Sequence, residues 1–344
     1  MSMSNGIKHG LQVYSSKLED YFRNNSETND LNINFLKIKN TKFLSVYRLY
    51  WNFFILPFKA RNEPVYSFSS HGSPFCKNQI ITIHDLICFS FPKQHKFQYY
   101  YFKFLLPLVL KSCKKVVVIS EFTKNEVIKY YNLSEDKIEV IHNGLNSFSY
   151  NEDIETEDNF SKIVGNKPFF ISVGASYKHK NIENLLLAIK SSSLTAKECN
   201  FIIISKKNEY GENLRTIGKD LNLDNVIFLE QISDNLLAKL YMESISNIYL
   251  SLYEGFGFPP LEAASLGKVS LLSNIGVFKE VMEDCAIFVN PLNIEEISLA
   301  ICDLYNKKID LKPIENKFQF LLKKYSWETT GAKIEKLIFE CLMK

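Results

Sequence analysis

Short runs of Ile, Val and Phe recur along the chain, and the stretches between them are about one helix long. Runs at 79–83 (QIITI), 115–119 (KVVVI), 138–141 (IEVI), 169–173, 200–204, 226–229, 248–252 and 269–273 are too short for buried helices and too continuous for one-sided strands. Amphipathic stretches at 120–131, 182–190, 210–221, 236–244 and 260–266 have helical length. Strands alternating with helices of about 10–15 residues specify parallel sheets. The helix at 120–131 has two candidate caps: Ser120, or Thr123 with Glu126 three residues on as a capping box.

One segment interrupts the alternation. Residues 147–166 include NEDIETEDNFSK, the most acidic and least apolar stretch, and read as an interdomain linker and loop. The expected organisation is α/β: a Rossmann-like domain over 1–148, a linker over 149–166, a second Rossmann-like domain over 167–324, and a terminal segment over 325–344. A length of 344 residues agrees with two domains. Such sheets bind ligands beyond the carboxyl ends of their strands.

Composition narrows the class. With 41 Lys+Arg against 38 Asp+Glu, the chain shows no sign of a nucleic-acid binder. Cys76, Cys88, Cys113, Cys199, Cys285, Cys302 and Cys341 are scattered and never form C-x-x-C, which argues against a disulfide framework or a zinc site and for a reducing compartment. Residues 1–10 carry no apolar signal core, and no run reaches the roughly 18 apolar residues of a spanning helix. A cytoplasmic enzyme, soluble or peripherally attached, is the expected class.

The segment with most chemistry is 251–267, SLYEGFGFPPLEAASLG. Glu254 is expected directly at the end of a strand. Gly255 and Gly257 let a ligand approach the backbone closely. Pro259 and Pro260 suit the first turn of a helix, and Glu262 is expected inside that turn. The ordinary alternative is a capping turn whose two carboxylates merely favour the helix dipole.

With its neighbours this segment resembles the Glu-x7-Glu signature of the retaining glycosyltransferases of family 4. Their GT-B fold faces two Rossmann-like domains across a central cleft. Other blocks agree in order: 83–86 (IHDL), 118–124 (VISEFTK), 141–145 (IHNGL), 173–187 (VGASYKHKNIENLLL), 228–241 and 274–281 (NIGVFKEV). Residues 325–337 resemble the family's terminal helix, which packs back on the first domain. The likeness covers nearly the whole chain, from about Gly6.

The resemblance implies transfer of a sugar, with retention, from a nucleotide-diphosphate donor to a hydroxyl of a glycan. Glu254 resembles the glutamate beside the donor sugar at the reacting centre, and Glu262 the one that accepts from the ribose. Lys180, which aligns with the family's basic position and competes with Lys178, is implied to hold the diphosphate, with Lys206 as a second cation. The backbone N–H groups of Gly255, Phe256, Gly257 and Phe258 are implied to bind sugar hydroxyls and phosphate, as is that of Gly10. His84, at a strand end, is implied near the donor sugar and acceptor. His71, His142 and His179 read as packing residues, and Asp85 as bonding the turn after its strand. No D-x-D occurs, so neither metal nor cofactor is expected, and leaving-group charge falls to Lys180, Lys206 and helix N-termini. Same-face attack is expected, with the leaving diphosphate helping to deprotonate the acceptor.

Mannosyl or rhamnosyl transfer into bacterial surface polysaccharide (O-antigen or capsule) is a common role among members with such blocks, from GDP-, UDP- or dTDP-linked donors. Two departures, Glu230 for the usual Gly and Val269 for the usual Pro, lie beside the nucleotide region. At the N-terminus 6–14 resemble the family's glycine-rich loop, yet 1–5 cannot make a buried strand, so the first strand is expected to be absent, replaced or cut off. Two other readings stay open: a nucleotide-sugar or glycan binder without turnover, and another GT-B enzyme such as a phosphorylase or epimerase.

Residues 93–115 (KQHKFQYYYFKFLLPLVLKSCKK) are unusually aromatic and basic. They read either as a core-facing helix with solvated lysines or as an interfacial helix resting on anionic lipid at the inner face of the plasma membrane, beside a lipid-linked acceptor. Pro107 is expected to break the helix, and core packing is the favoured use of most of these rings.

Overall fold

The computed structural model describes residues 10–25, 33–36, 44–60, 63–145, 148, 150–151, 154–192, 194–195 and 197–342. They divide into two compact units. The first runs to Gly144 and resumes at Tyr325; the second is Leu145–Lys324.

In the first unit β1 (Val65–Ser67), β2 (Gln79–Ile83), β3 (Lys115–Val118) and β4 (Ile138–Val140) form a parallel sheet in that order. Ile81, Ile83, Val116 and Val118 share one core cluster with Tyr101, Phe102, Leu106 and Val109. Thr82, of opposite parity, meets Tyr14 of the helix Gly10–Asn25: the Tyr14 hydroxyl lies 3.3 Å from Thr82 Oγ1 and 2.7 Å from the Tyr66 hydroxyl. Alternate residues of each strand therefore bury on opposite faces.

Ser120 caps the helix Glu121–Tyr131, its Oγ accepting from the Thr123 N–H at 3.1 Å. The aromatic segment is one helical run, Lys96–Tyr100, Tyr101–Leu105 and Leu106–Ser112, whose middle turn is π-helical. Pro107 does not break it. The Leu106 N–H reaches back to the Tyr101 carbonyl, one residue further than in an α-helix. Pro107 then falls in the first turn of the next stretch, where its missing N–H is tolerated.

In the second unit β5 (Phe169–Ala175), β6 (Asn200–Ser205), β7 (Val226–Leu229), β8 (Asn247–Tyr249), β9 (Ser270–Ser273) and β10 (Ile287–Val289) form a parallel sheet ordered β10-β9-β8-β5-β6-β7. Phe169, Ile171, Val173, Ile202 and Ile204 pack into one cluster, while Phe170, Phe201 and Ile203 pack into another. The segment expected to be a loop instead holds the helix Ile154–Val164. Its few apolar residues decide this: Val164 is buried, and Phe160 and Ile163 pack against the first of these clusters.

The terminal helix Trp327–Leu342 packs back on the first unit, as expected. The Thr330 hydroxyl donates to the His142 carbonyl at 2.8 Å, and the Tyr21 hydroxyl to Glu335 Oε2 at 3.1 Å. Among the described residues no helix is long and apolar enough to cross a membrane.

Gly331 faces the Tyr21 ring so closely that a Cβ there would clash with it. Alanine is the better helix former by about 1 kcal/mol. Gly331→Ala is nevertheless expected to destabilise the protein, since overpacking costs about 1–3 kcal/mol. Chemical denaturation decides it, and an unchanged or raised midpoint would mean that the two helices are not in close contact.

Candidate active site

The order of the second sheet reverses beside β5. The chain proceeds from β5 to β6 and β7 on one side, then returns to β8, β9 and β10 on the other. At such a reversal the connections leaving the two central strands diverge, and open α/β sheets bind ligands beyond those strand ends. Lys180 follows the end of β5 and Glu254 the end of β8.

Local backbone bonds bring the two together. Lys178–Lys180 makes one tight turn, ended by Asn181 at φ 58°, and Ile182 begins the next helix. Asn tolerates that left-handed conformation better than most residues. Its side-chain amide donates to the Pro291 carbonyl at 2.8 Å. The Leu252 N–H donates to the His179 carbonyl at 2.7 Å, joining the loop after β8 to the loop after β5. Lys180 Nζ consequently lies 2.5 Å from Glu254 Oε1 and 2.6 Å from the Tyr249 hydroxyl, which itself donates to Glu254 Oε1 at 2.9 Å.

Burial alone would raise the Glu254 pKa, but the charges of Lys180 and then His179, with the Lys180 hydrogen bond, hold it below the usual carboxylate range. Burial and the neighbouring Glu254 carboxylate push the Tyr249 phenol well up. At neutral pH the cluster is therefore a carboxylate held between a cation and a neutral phenol. Glu254 does not follow the strand directly, as had been expected. The ladder with β9 ends at Tyr249–Leu272, and 250–253 continue beyond it to the Lys180 side.

Gly257 has φ 114°, and a Cβ there would lie 2.9 Å from the Phe278 ring. Its conformation starts the helix at Phe258, so the prolines fill the first turn and Glu262 falls in the second, a turn later than expected. Burial, then Asp234, raises the Glu262 pKa to about 7. Glu262 lies beyond the first turn, where a helix dipole acts most strongly. Phe256 is buried, with its ring 5.5 Å from that of Phe258.

Lys206 directly follows β6, and burial lowers its pKa. Glu230 follows β7 and accepts from Arg215 at 2.7 Å, while the Arg215 guanidinium lies 5.2 Å from the Phe228 ring. Val269 is buried. The carboxyl ends of β8, β5, β6 and β7 thus carry Glu254, Lys180, Lys206 and Glu230 in spatial order.

His84 and Gly10 belong to the first unit. His84 follows β2 directly, with Nε2 2.9 Å from the Phe68 carbonyl and its ring 4.7 Å from that of Tyr14. Burial lowers its pKa to about 4. The imidazole is neutral at pH 7, with Nε2–H donating to the carbonyl and Nδ1 left as an acceptor. Asp85 accepts from the Ile87 N–H at 3.1 Å, bonding the turn. His71 stacks on Tyr101 at 4.8 Å and stays neutral, and the His142 ring packs on Tyr325. Gly10 is the exposed first residue of its helix; 1–9, which include most of the loop-like stretch, lie outside the described residues.

Two residues of the Glu254 cluster were not foreseen. Tyr249 reads in sequence as one more apolar strand residue, and only its place at the last rung of β8 hints at the site. His179 reads in sequence as a packing residue, yet its carbonyl joins the two loops and its charge acts on Glu254.

The Glu262 shift has a consequence for stability. Its folded pKa of about 7 exceeds the ordinary 4.5, so its contribution is fully present below about 4.5 and is lost as pH rises through about 7. Glu262→Gln should therefore gain in melting temperature relative to the parent between pH 5.5 and 8, in the absence of ligand. A difference between the two proteins that does not change with pH would refute a raised pKa.

Residues 153–320 match the family model of glycosyl transferases group 1, and 41–147 match that of Glycosyltransferase Family 4. The O-antigen chain mannosyltransferase RfbU of Salmonella typhimurium is 35% identical over 243 residues, which are 70% of this chain and 65% of that protein. The chain thus spans just under two thirds of that relative's length. Among solved structures, a sucrose-phosphate synthase of Thermosynechococcus elongatus has a TM-score of 0.72 at 16% identity, covering 98% of this chain and 94% of that one. A glycosyltransferase of Rickettsia africae has a TM-score of 0.65 at 20% identity, covering 93% and 87%. At these identities the structures speak for the fold alone. The two models take one sheet each and together span most of the chain, which belongs to the family 4 glycosyltransferases of GT-B fold.

Proposed function

We propose that the protein is a retaining glycosyltransferase of bacterial O-antigen synthesis, moving a hexose from a nucleotide diphosphate to a hydroxyl of a glycan. The observation that carries this reading is the Lys180–Glu254–Tyr249 cluster at the reversal of the second sheet. A donor diphosphate offers Lys180 a more highly charged partner than Glu254 does. As its ammonium turns to the phosphate oxygens, Glu254, still held by Tyr249, is released toward the sugar. Lys206, at the end of the adjacent strand, extends the cationic side, so leaving-group charge is met without a metal or other cofactor. Backbone N–H groups of 255–258 bind sugar hydroxyls and phosphate.

Glu262 takes the ribose hydroxyls. Asp234 acts on its charge, so the loop after β7 lies near it, on the side where the base would follow. Neutral His84 serves the donor sugar and acceptor through hydrogen bonds rather than as an acid, and Gly10 approaches with its backbone. The mannosyl activity named for the Salmonella relative supports mannose as the sugar. The acceptor is lipid-linked, met at the inner face of the plasma membrane through contact of 93–115 with lipid. The donor base is one of guanine, uracil or thymine.

Lys180→Ala should weaken binding of a nucleotide diphosphate by roughly 1.5–3 kcal/mol and leave nucleoside binding nearly unchanged; titration calorimetry with GDP, UDP and dTDP, each against its nucleoside, decides it. Equal losses would remove Lys180 from the phosphates.

The two glutamates should separate. Glu254→Gln is expected to lower kcat and kcat/KM together while the free nucleotide diphosphate binds nearly as before, because that ligand lacks the sugar. Glu262→Gln should weaken nucleoside and nucleotide alike. A Glu254→Gln enzyme of normal kcat would end its assignment to the reacting centre. If the parent protein turned over no nucleotide sugar, with or without a glycan acceptor, the transferase reading would give way to a binding protein.

A further inference from the structure

The exposed apolar side chains of the first unit fall largely into two rows. Along the helical run 96–112 they are Phe97, Tyr100, Phe104 and Leu108, with Phe97 87% exposed. Along the run 44–60 they are Val46, Tyr50, Phe54 and Phe58, at every fourth residue, with Phe58 79% exposed. An α-helix repeats every 3.6 residues, so a row at every fourth residue drifts around it. The π-helical turn Trp51–Ile55 winds more loosely and counters that drift. Neighbouring rings in both rows lie close: Tyr50 and Phe54 are 5.4 Å apart, Tyr100 and Phe104 6.4 Å.

These rows are the faces left over after the core is packed. Trp51, Leu56 and Ala60 are buried in one cluster. Tyr101, Phe102, Leu106 and Val109 fill another, against which Leu49 also packs. Leu49 of the run 44–60 thus packs against the cluster that the run 96–112 fills, and the two runs are neighbours. Exposed apolar rows of this kind mark contact surfaces.

Charge selects the occupant. Neither run contains Asp or Glu, and between them they carry Arg48, Lys59, Lys96, Lys103 and Lys111, with Lys93 and Lys114 just outside. Lys103 Nζ lies 5.4 Å from the Tyr99 ring and 5.5 Å from that of Phe104, at the level of the exposed aromatics. A second copy of this chain would bring like charges together, whereas an anionic bilayer takes rings into its interface and cations at its phosphates.

We propose that the runs 44–60 and 96–112 form one two-helix face that seats the first unit on anionic lipid. This rests on the reading of 93–115 as a membrane contact and adds to it a helix to which the sequence assigned no role. The test is sedimentation of the full chain with phosphatidylcholine vesicles, with and without phosphatidylglycerol, at low and high salt. Two triple variants are compared with the parent, Tyr50→Ser/Phe54→Ser/Phe58→Ser and Phe97→Ser/Tyr100→Ser/Phe104→Ser, each checked for native melting.

The parent is expected to bind only where phosphatidylglycerol is present and to release in salt. Each triple variant should bind about tenfold or more weakly, because three rings leave the interface. If only the second triple releases, the 93–115 contact stands and the two-helix face is overturned. If neither releases, or the parent binds both vesicles equally, both readings fall. A first triple that binds normally but changes oligomeric state makes that row a protein contact, which also overturns the proposal. Should the first triple not fold, Lys59→Glu replaces it, with weaker binding to the anionic vesicles supporting the face and unchanged binding overturning it.

Discussion

The ion pair between Lys180 and Glu254 is the constraint on which the second unit's chemistry turns. A carboxylate taken out of water is strongly unfavourable unless a charge or several donors meet it. Glu254 has Lys180 and the Tyr249 hydroxyl on the same oxygen. That geometry needs two loops from non-consecutive strands fixed against each other. The parallel sheet supplies the approach through the adjacency of β5 and β8, and the Leu252–His179 and Asn181–Pro291 bonds fix it.

The two glutamates of one motif come to differ because their surroundings differ. Glu254 is held below the normal range by cations beside it, whereas Glu262, eight residues on, is raised by burial and by Asp234. Two carboxylates whose environments push them apart suit two roles rather than one. The split depends on Gly257: its positive φ starts the helix at Phe258 and carries Glu262 into the second turn, beyond the strongest part of the dipole and toward the loop after β7.

Much of this was legible in the sequence. The long strands of the second unit announce themselves because both faces are buried, so their apolar runs are continuous; β5 is buried at six of its seven residues. Strands β1 and β10, short strands at the edges of their sheets, do not stand out in the sequence. The helix Ile154–Val164 was hidden by its acidity, since a helix packing through a narrow stripe needs few apolar residues. The Glu-x7-Glu spacing pointed to Glu254, Glu262 and the glycine turn between them. It could not point to Tyr249, whose hydroxyl matters only because a strand end places it under Lys180.

The aromatic run 96–112 shows why a sequence pattern can stay ambiguous even when both of its readings are physically sound. Read at 3.6 residues per turn, its apolar residues cover too wide an arc to be one core face. The structure assigns Tyr101, Phe102, Leu106, Val109 and Leu110 to the core and leaves Phe97, Tyr100, Phe104 and Leu108 outside. The π-helical turn Tyr101–Leu105 holds an extra residue and shifts the phase of everything after it. A periodicity argument that assumes one winding mixes the two faces on either side of that shift. The run 44–60 carries the same device, a π-helical turn amid an apolar stretch. In both, the wider turn lets a helix bury one apolar face and present another, which a uniformly wound amphipathic helix with a single apolar stripe does not do.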